Sequence, residues 1–336
     1  MKKACPYGSH RVLEPEGVLP QAAWKLDNTM QVYENELLID VEMLNIDAAS
    51  FRQMIGQAQT PDGIASLILQ TVQQRGKQHN PVTGSGGMLI GVVRQVGKDF
   101  SEQVEVGTKI ATLVSLSLTP LRIDEIHEMD MDTCQVRVSG QAILFQSGIF
   151  AKLPEDLPQE FALGLLDVAG APAQTAKLVQ AGQTVLIIGA GGKSGMLCLY
   201  EAKKRVGITG KVIALAYDER DYTRIAGSGL ADVILQGDAR DSLAILHQVE
   251  DATQSGLADL TINCVDMPGT EMTSILCTKE NGTVYFFSMA TSFTAAALGA
   301  EGAGKDVRML IGNGYTKGHA EMALDVGRRM RAEGLL

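Results

Sequence analysis

No face of this sequence is rich in lysine or arginine: 29 basic side chains stand against 39 acidic ones, for a formal charge of -10. A partner made of phosphodiester backbone is therefore not expected, because nothing would neutralise it. No stretch reaches the roughly 18 uninterrupted apolar residues of a membrane span. The opening "MKKACPYGSHRVLEPEG" has two lysines but no apolar run behind them, and so lacks the middle segment of a secretory signal. Cysteine is sparse: Cys5, Cys134, Cys198, Cys264 and Cys277 are an odd number, far apart and without a C-x-x-C pair. That excludes a disulfide framework and a structural zinc lobe, and makes a reducing cytoplasm the expected compartment. Cys198 and Cys264 lie in apolar runs and read as small core residues.

What is present is glycine, 36 residues of it, in a chain that is 45% apolar and 20% charged. This is the composition of a soluble α/β enzyme, and 336 residues suit two cores better than one. From about Val32 to Ile149 short β segments such as "ELLIDVEML", "GMLIGVVRQVG", "VEVGTKIATLV" and "TCQVRVSGQAILF" predict a compact β-rich domain. One helix interrupts them, where Ile64, Leu67, Ile68 and Val72 fall at helical spacing. Pro154 and Pro158 punctuate a change of pattern, and the domain boundary is expected there, with residues 1–152 before it and 153–318 after it. Beyond the boundary six β segments alternate with helices: "TVLIIG", "KVIALAY", "ADVIL", "ADLTINCV", "GTVYFFSM" and "DVRMLI". Such alternation requires crossover connections and predicts a doubly wound parallel sheet, a Rossmann domain. Residues 319–336 offer one amphipathic helix, so any return of the chain to the first domain is short or absent.

The segment "TVLIIGAGGKSG", Thr184 to Gly195, holds two rival phosphate-binding patterns. Its G-K-S would close a P-loop, but the template needs a glycine five positions before Gly192, where Ile187 stands inside the strand. The dinucleotide reading asks for a strand, a glycine turn, a helix opening and an acidic residue after the second strand, and all four are found. Gly189 makes the tight turn, Gly192 admits the pyrophosphate, and Gly195 lets the helix approach the sheet, with Gly191 in the same loop. The pyrophosphate would sit on the helix amino terminus. Asp218, after "KVIALAY", is the candidate for the adenosine ribose and favours NAD over NADP, while Arg220 and Arg224 could instead pair with a 2'-phosphate. A helix-capping role for Asp218 is the plainer alternative.

This order of parts resembles the medium-chain dehydrogenase/reductase superfamily. "GSGGMLIGVVRQVG" is similar to that family's G-H-E-x-x-G-x-V-x-x-V-G segment, and "VEVGTKIATLV" to its V-G-D-R-V. The resemblance implies a GroES-like first domain and a nicotinamide cofactor. Zinc-dependent members carry a metal-serving His and Glu where this chain has Ser85 and Gly86, and "MLNIDAASFR" lacks their cysteine, so a zinc-free branch is implied. Within it, "LNIDAASFRQ", "TGSGGMLIGVV", "LDVAGAPAQT" and "IGAGGKSG" resemble the amine dehydrogenases of lysine fermentation. That resemblance implies oxidative deamination of a small diamino acid: NAD(P)+ takes hydride from C3, and the imine hydrolyses to a keto product and ammonia.

Such chemistry needs a base for the amine proton, a water, and both a cation and an anion for the substrate's charged groups. Asp47 and Arg52 supply both signs in a segment that bears active-site residues in relatives, with a surface-loop ion pair as the plain alternative. Lys193 is a catalytic base or a phosphate anchor, and phosphate charge nearby favours the anchor. Ser194 lies near the nicotinamide in relatives, and Cys264, Val265 and Ser288 should line the cofactor crevice. The segment "RIDEIHEMDMD" reads as a solvated acidic loop that offers His127, Glu128, Asp130 and Asp132 as proton carriers, and His79 carries equally little weight. A quinone or enoyl reductase is the competing enzyme, a cofactor-binding protein without turnover the competing class. The expected assembly is a homo-oligomer, with a dimer as its first form.

Overall fold

In a computed structural model, which describes residues 4–82, 84–288, 290–312 and 314–335, the chain divides into two compact units, Met1–Glu155 and Asp156–Leu336. In the first unit β1 (Val12–Glu14) and β2 (Lys25–Leu26) form a small antiparallel ribbon. A larger antiparallel sheet contains β3 (Glu36–Asn45), β4 (Met88–Val96), β5 (Lys109–Thr112), β6 (Leu121–Asp130), β7 (Gln135–Phe145) and β8 (Phe150–Lys152), in the order β6-β7-β3-β4-β5-β8.

Two helices, α1 (Ala48–Ala58) and α2 (Pro61–Arg75), separate β3 from β4. The start and stop of α2 are written locally: the Thr60 side chain accepts from Gly63 N, Pro61 opens the helix, and Gly76 ends it in the left-handed region. Its inner stripe, Ile64, Ile68 and Val72, packs with Phe51 and Met54 of α1 onto Leu37, Ile39, Leu89 and Val93 of the sheet. The segment read as an acidic loop is in fact β6, an edge strand. It pairs with β7 through two register shifts, after Ile123 and after Ile126.

A buried ion pair fastens the amino-terminal segment to β3. Arg11 donates through Nε and Nη2 to the two carboxylate oxygens of Glu36, each at 2.7 Å, and through Nη1 and Nη2 to Thr29 O and Gln31 O. His10 Nε2 and Glu36 Oε1 lie 2.8 Å apart. Burial alone would raise the Glu36 pKa, but the bonds from Arg11, His10 and Tyr33 N outweigh it and hold the carboxyl at about 2.

The second unit opens with α3 (Gln159–Leu166) and α4 (Gly170–Leu178). There follow β9 (Thr184–Ile188), α5 (Lys193–Val206), β10 (Lys211–Ala216), α6 (Glu219–Ser228), β11 (Val233–Gln236), α7 (Ser242–Thr253) and β12 (Ala258–Asn263). The unit closes with α8 (Glu271–Leu276), β13 (Thr278–Phe286), α9 (Phe293–Ala303), β14 (Arg308–Ile311) and α10 (His319–Ala332). All neighbouring strands are parallel, in the order β11-β10-β9-β12-β13-β14. Val185 to Ile188 are wholly buried because helices cover both faces of β9. The order reverses between β9 and β12, which is where a doubly wound sheet opens its ligand crevice. The terminal helix α10 packs on α3, α4 and α5 of its own unit.

Candidate active site

β9 stops at Ile188, and the chain turns at Gly189 with φ 76°. A Cβ there would lie 2.9 Å from Val265 Cγ2 and 3.1 Å from Val265 N, so both conformation and space demand glycine. At Gly195 a Cβ would come within 2.2 Å of Gly189 O, which is how closely α5 rests on the loop it follows. Gly192 differs. It is exposed, it precedes α5 without a side-chain cap, and a Cβ on it would meet nothing closer than Gly189 O at 3.5 Å. The first-turn amides of α5 therefore face a side of the loop that the protein leaves open, the arrangement an anion needs. Ile187 pairs with Ala214 and Ile262 in the parallel ladder, so no P-loop can begin there. These residues fit the pyrophosphate of a dinucleotide.

Lys193 is the first residue of α5, and Ser194 the second. The lysine stem runs beside Gly164 of α3, and Nζ donates to Asp167 Oδ2 at 2.9 Å. Both side chains are about half exposed, 51% for Lys193 and 49% for Asp167. Asp167 is the residue on which α3 ends. It belongs to the "LDVAGAPAQT" segment, yet sequence reasoning did not single it out, because 26 residues separate it from its partner and no motif joins them.

Asp218 caps α6: its Oδ1 accepts from Asp221 N at 2.9 Å. Within the described residues its second oxygen makes no hydrogen bond, and the side chain is exposed. Of the two arginines offered to a 2'-phosphate, Arg224 donates to Gly191 O at 3.1 Å and so braces the glycine loop. Arg220 stands exposed, without an ion-pair partner among the described residues. Asp221 was not foreseen. Its carboxylate fills the space beside Gly191, where a Cβ would lie 2.4 Å from Oδ1.

Beyond the carboxyl ends of β12 and β13 stand Cys264, Val265 and Ser288. Cys264 N donates to Ile188 O, which ties this corner to β9, and its Sγ lies 3.9 Å from Cys198 Sγ of α5. Buried Asn263 sets the geometry, accepting from Val265 N and donating to Thr270 Oγ1 and Ser274 Oγ. Ser288 Oγ donates to Asp266 Oδ1 at 3.2 Å.

In the first unit Asp47 is the residue that precedes α1, and Arg52 lies on that helix. Asp47 caps α1 by accepting from Ser50 N at 2.8 Å, and its buried Oδ2 has no hydrogen-bond partner among the described residues. Arg52 is exposed on the same helix. Both charges act on the Cys134 thiol, which burial pushes up, Arg52 pulls down, and Asp130 and Asp47 push up again. Next to Ser85, position 86 has no room for a side chain: a Cβ on Gly86 would lie 2.2 Å from Gln78 O and 2.9 Å from Ser117 N. No metal-binding group of three His, Cys, Asp or Glu is found among the described residues. His127 sits on β6, 2.6 Å from Ser139 Oγ across the strand pair, with Glu128 and Asp130 on the same strand and Asp132 just beyond it. His79, by contrast, has a buried Nδ1 without a partner among the described residues, and burial, then the charges of Lys77 and Arg75, lower its pKa to about 4.

Residues 10–154 match the family model of the L-erythro-3,5-diaminohexanoate dehydrogenase N-terminal domain. An L-erythro-3,5-diaminohexanoate dehydrogenase from Acetoanaerobium sticklandii is 55% identical, covering 97% of this chain and 96% of its own. One from Fusobacterium nucleatum is 53% identical, covering 97% and 95%. Among solved structures, mycobacterial Rv1454c complexed with NADPH superposes with a TM-score of 0.58 at 15% identity, covering 93% of this chain and 85% of that one. At that identity the likeness speaks for the fold alone.

Proposed function

The chain belongs to the L-erythro-3,5-diaminohexanoate dehydrogenase family, and from that premise we infer that its reaction is the oxidative deamination of L-erythro-3,5-diaminohexanoate to 5-amino-3-oxohexanoate and ammonia, with NAD(P)+ as oxidant. One observation carries the reading: identity with both relatives extends over nearly the whole of either chain, through both units. The reaction is a step of lysine fermentation.

The bound nicotinamide supplies the hydride acceptor. Everything else falls to the chain's own side chains. Gly189, Gly191, Gly192 and Gly195 shape the turn that receives the pyrophosphate, Ser194 adds a hydroxyl at the amino end of α5, and Cys264, Val265 and Ser288 line the crevice past the strand ends. The unused oxygen of Asp218 accepts from the ribose hydroxyls and repels a 2'-phosphate, so NAD is the preferred cofactor, with Arg220 the residue that would soften the preference. Arg52 takes the substrate carboxylate, and Asp47 Oδ2, without a hydrogen-bond partner among the described residues, takes an ammonium group. Lys193 serves the reacting carbon. No zinc enters this scheme, a reading supported by the stretch from Ser85 to Met88, which holds neither the His nor the Glu of the zinc-dependent pattern.

We place the enzyme in the cytoplasm, a reading supported by five free thiols, and assign it a homodimer. The support for the dimer is β14, an edge strand on which Met309 and Ile311 are 37% and 47% exposed, an apolar rim suited to pairing with a second copy. The deciding assay mixes purified protein with L-erythro-3,5-diaminohexanoate and NAD+ or NADP+ and follows the reduced-nicotinamide absorbance. Turnover is expected with both, faster with NAD+. Silence with either cofactor, alongside reduction of a quinone, would reject the reading.

A further inference from the structure

The Lys193–Asp167 pair is badly placed for the helices that carry it. Lys193 puts a positive charge in the first turn of α5, and Asp167 puts a negative one at the carboxyl end of α3. Each charge opposes its own helix dipole. Nor does the contact itself do much for folding, since an ion pair so exposed contributes little. Helix stability therefore gives no reason for either residue.

Position gives one. Lys193 directly follows Gly192 in the chain, past the carboxyl end of β9, where a doubly wound sheet takes its ligand. A lysine there has two anions within reach once a dinucleotide is bound: the pyrophosphate on its own helix amino terminus, and Asp167. In the structure the stem lies along Gly164 and the ammonium is on Asp167.

We propose that Asp167 is a positioning residue for the deamination: it holds Lys193 over α3, away from the phosphates, so that Lys193 serves the reacting carbon instead of anchoring the cofactor. This rests on the oxidative-deamination reading. The step it assists is hydrolysis of the C3 iminium. Water forms the C–O bond, the C–N bond breaks, and both water protons end on the departing nitrogen as ammonium, with no net redox change. Lys193 donates a hydrogen bond to the oxygen as it becomes the carbonyl, a role that requires the ammonium to stay fixed and off the phosphates.

The test compares the single variants Asp167→Asn, Asp167→Glu and Lys193→Met, and the double variant Asp167→Asn/Lys193→Met, in the whole chain. It uses steady-state turnover of L-erythro-3,5-diaminohexanoate and, separately, NADH and NADPH affinity by fluorescence titration. Asp167→Asn is expected to lower kcat by at least about tenfold, with cofactor affinity unchanged or tighter, because a released ammonium swings toward the pyrophosphate. Asp167→Glu should recover part of kcat. The double variant should lose no more than Lys193→Met alone, as expected of residues acting as a unit. A loss of cofactor affinity in Asp167→Asn with kcat preserved would overturn the proposal, and so would three unchanged variants. The titration needs no substrate. If the wild type fails to oxidise the diamino acid, the functional reading falls, while weaker cofactor binding by Lys193→Met would independently restore the anchor role and sink this one.

Discussion

Lys193 and Asp167, the first residue of α5 and the residue that ends α3, face each other at 2.9 Å with half of each side chain in water. Because solvent screens such a pair, Asp167→Asn should change the unfolding free energy by less than about 1 kcal/mol. Urea unfolding at neutral pH measures it. A much larger loss would make the contact a structural clamp, and the catalytic consequences of the variant would then have to be read as instability.

The buried pair of Arg11 and Glu36 behaves differently. Removing the carboxylate leaves Arg11 enclosed and uncompensated, so Glu36→Ala should cost about 3–5 kcal/mol. With the folded pKa lowered from 4.5 to about 2, the carboxylate contributes stability that is complete above pH 4.5 and disappears as the pH falls through 2. Urea midpoints of wild type and variant should therefore converge on acidification. Parallel curves down to pH 2 would refute the assignment.

Lys77 gives the opposite sign. It is fully buried, Nζ donates to Pro20 O at 2.7 Å, and burial, then the Arg75 charge, bring its pKa from 10.5 down to about 8. At pH 7 the folded protein must enclose an ammonium that the unfolded chain solvates freely. Between pH 8 and 10.5 the unfolded chain binds more protons, so the stability contribution rises with pH there. Lys77→Met should stabilise the protein at pH 7 by about 1–3 kcal/mol, and the advantage should shrink as the pH rises from 8 to 10.5. A variant equally stabilised at pH 7 and 10.5 would rule out proton linkage as the cause.

Asp218 has two tasks that one substitution can separate. Asp218→Ser retains an oxygen to cap α6 and discards the charge, so stability should hold within about 0.5 kcal/mol while the preference for NAD over NADP narrows or reverses. Asp218→Ala should add a capping loss of about 1 kcal/mol. Kinetics with both cofactors, set beside thermal melts, distinguish the roles. An unaltered cofactor ratio in both variants would leave Asp218 a cap only.

The nucleotide unit was legible because its code is local. A buried strand is an apolar run, Gly189 marks a positive φ, and the alternation of segments dictates crossovers. The first unit hid more. "RIDEIHEMD" looks like a loop because its inward residues, Ile123, Ile126 and Met129, recur every third position; two register shifts on β6 convert a period of two into three. Around "NIDAASFRQ" the charges attracted attention but the helix did not, since α1 is short and its cap, Asp47, is one of the very residues read for function. The Asp167 contact was out of reach altogether: it depends on where two helix ends meet, which no spacing in the chain records.

Those register shifts on β6 have an effect on colloidal behaviour. A smooth outer strand is a template for any stray chain with unpaired amides, and this one is neither smooth nor neutral. Asp124, Glu125 and Glu128 project into solvent from a strand bent twice over nine residue steps. An approaching strand would meet a broken ladder of amides and a row of exposed, charged side chains. The first unit is thus protected against fibril-like stacking on that side, and crowding it in concentrated solution should leave it dispersed.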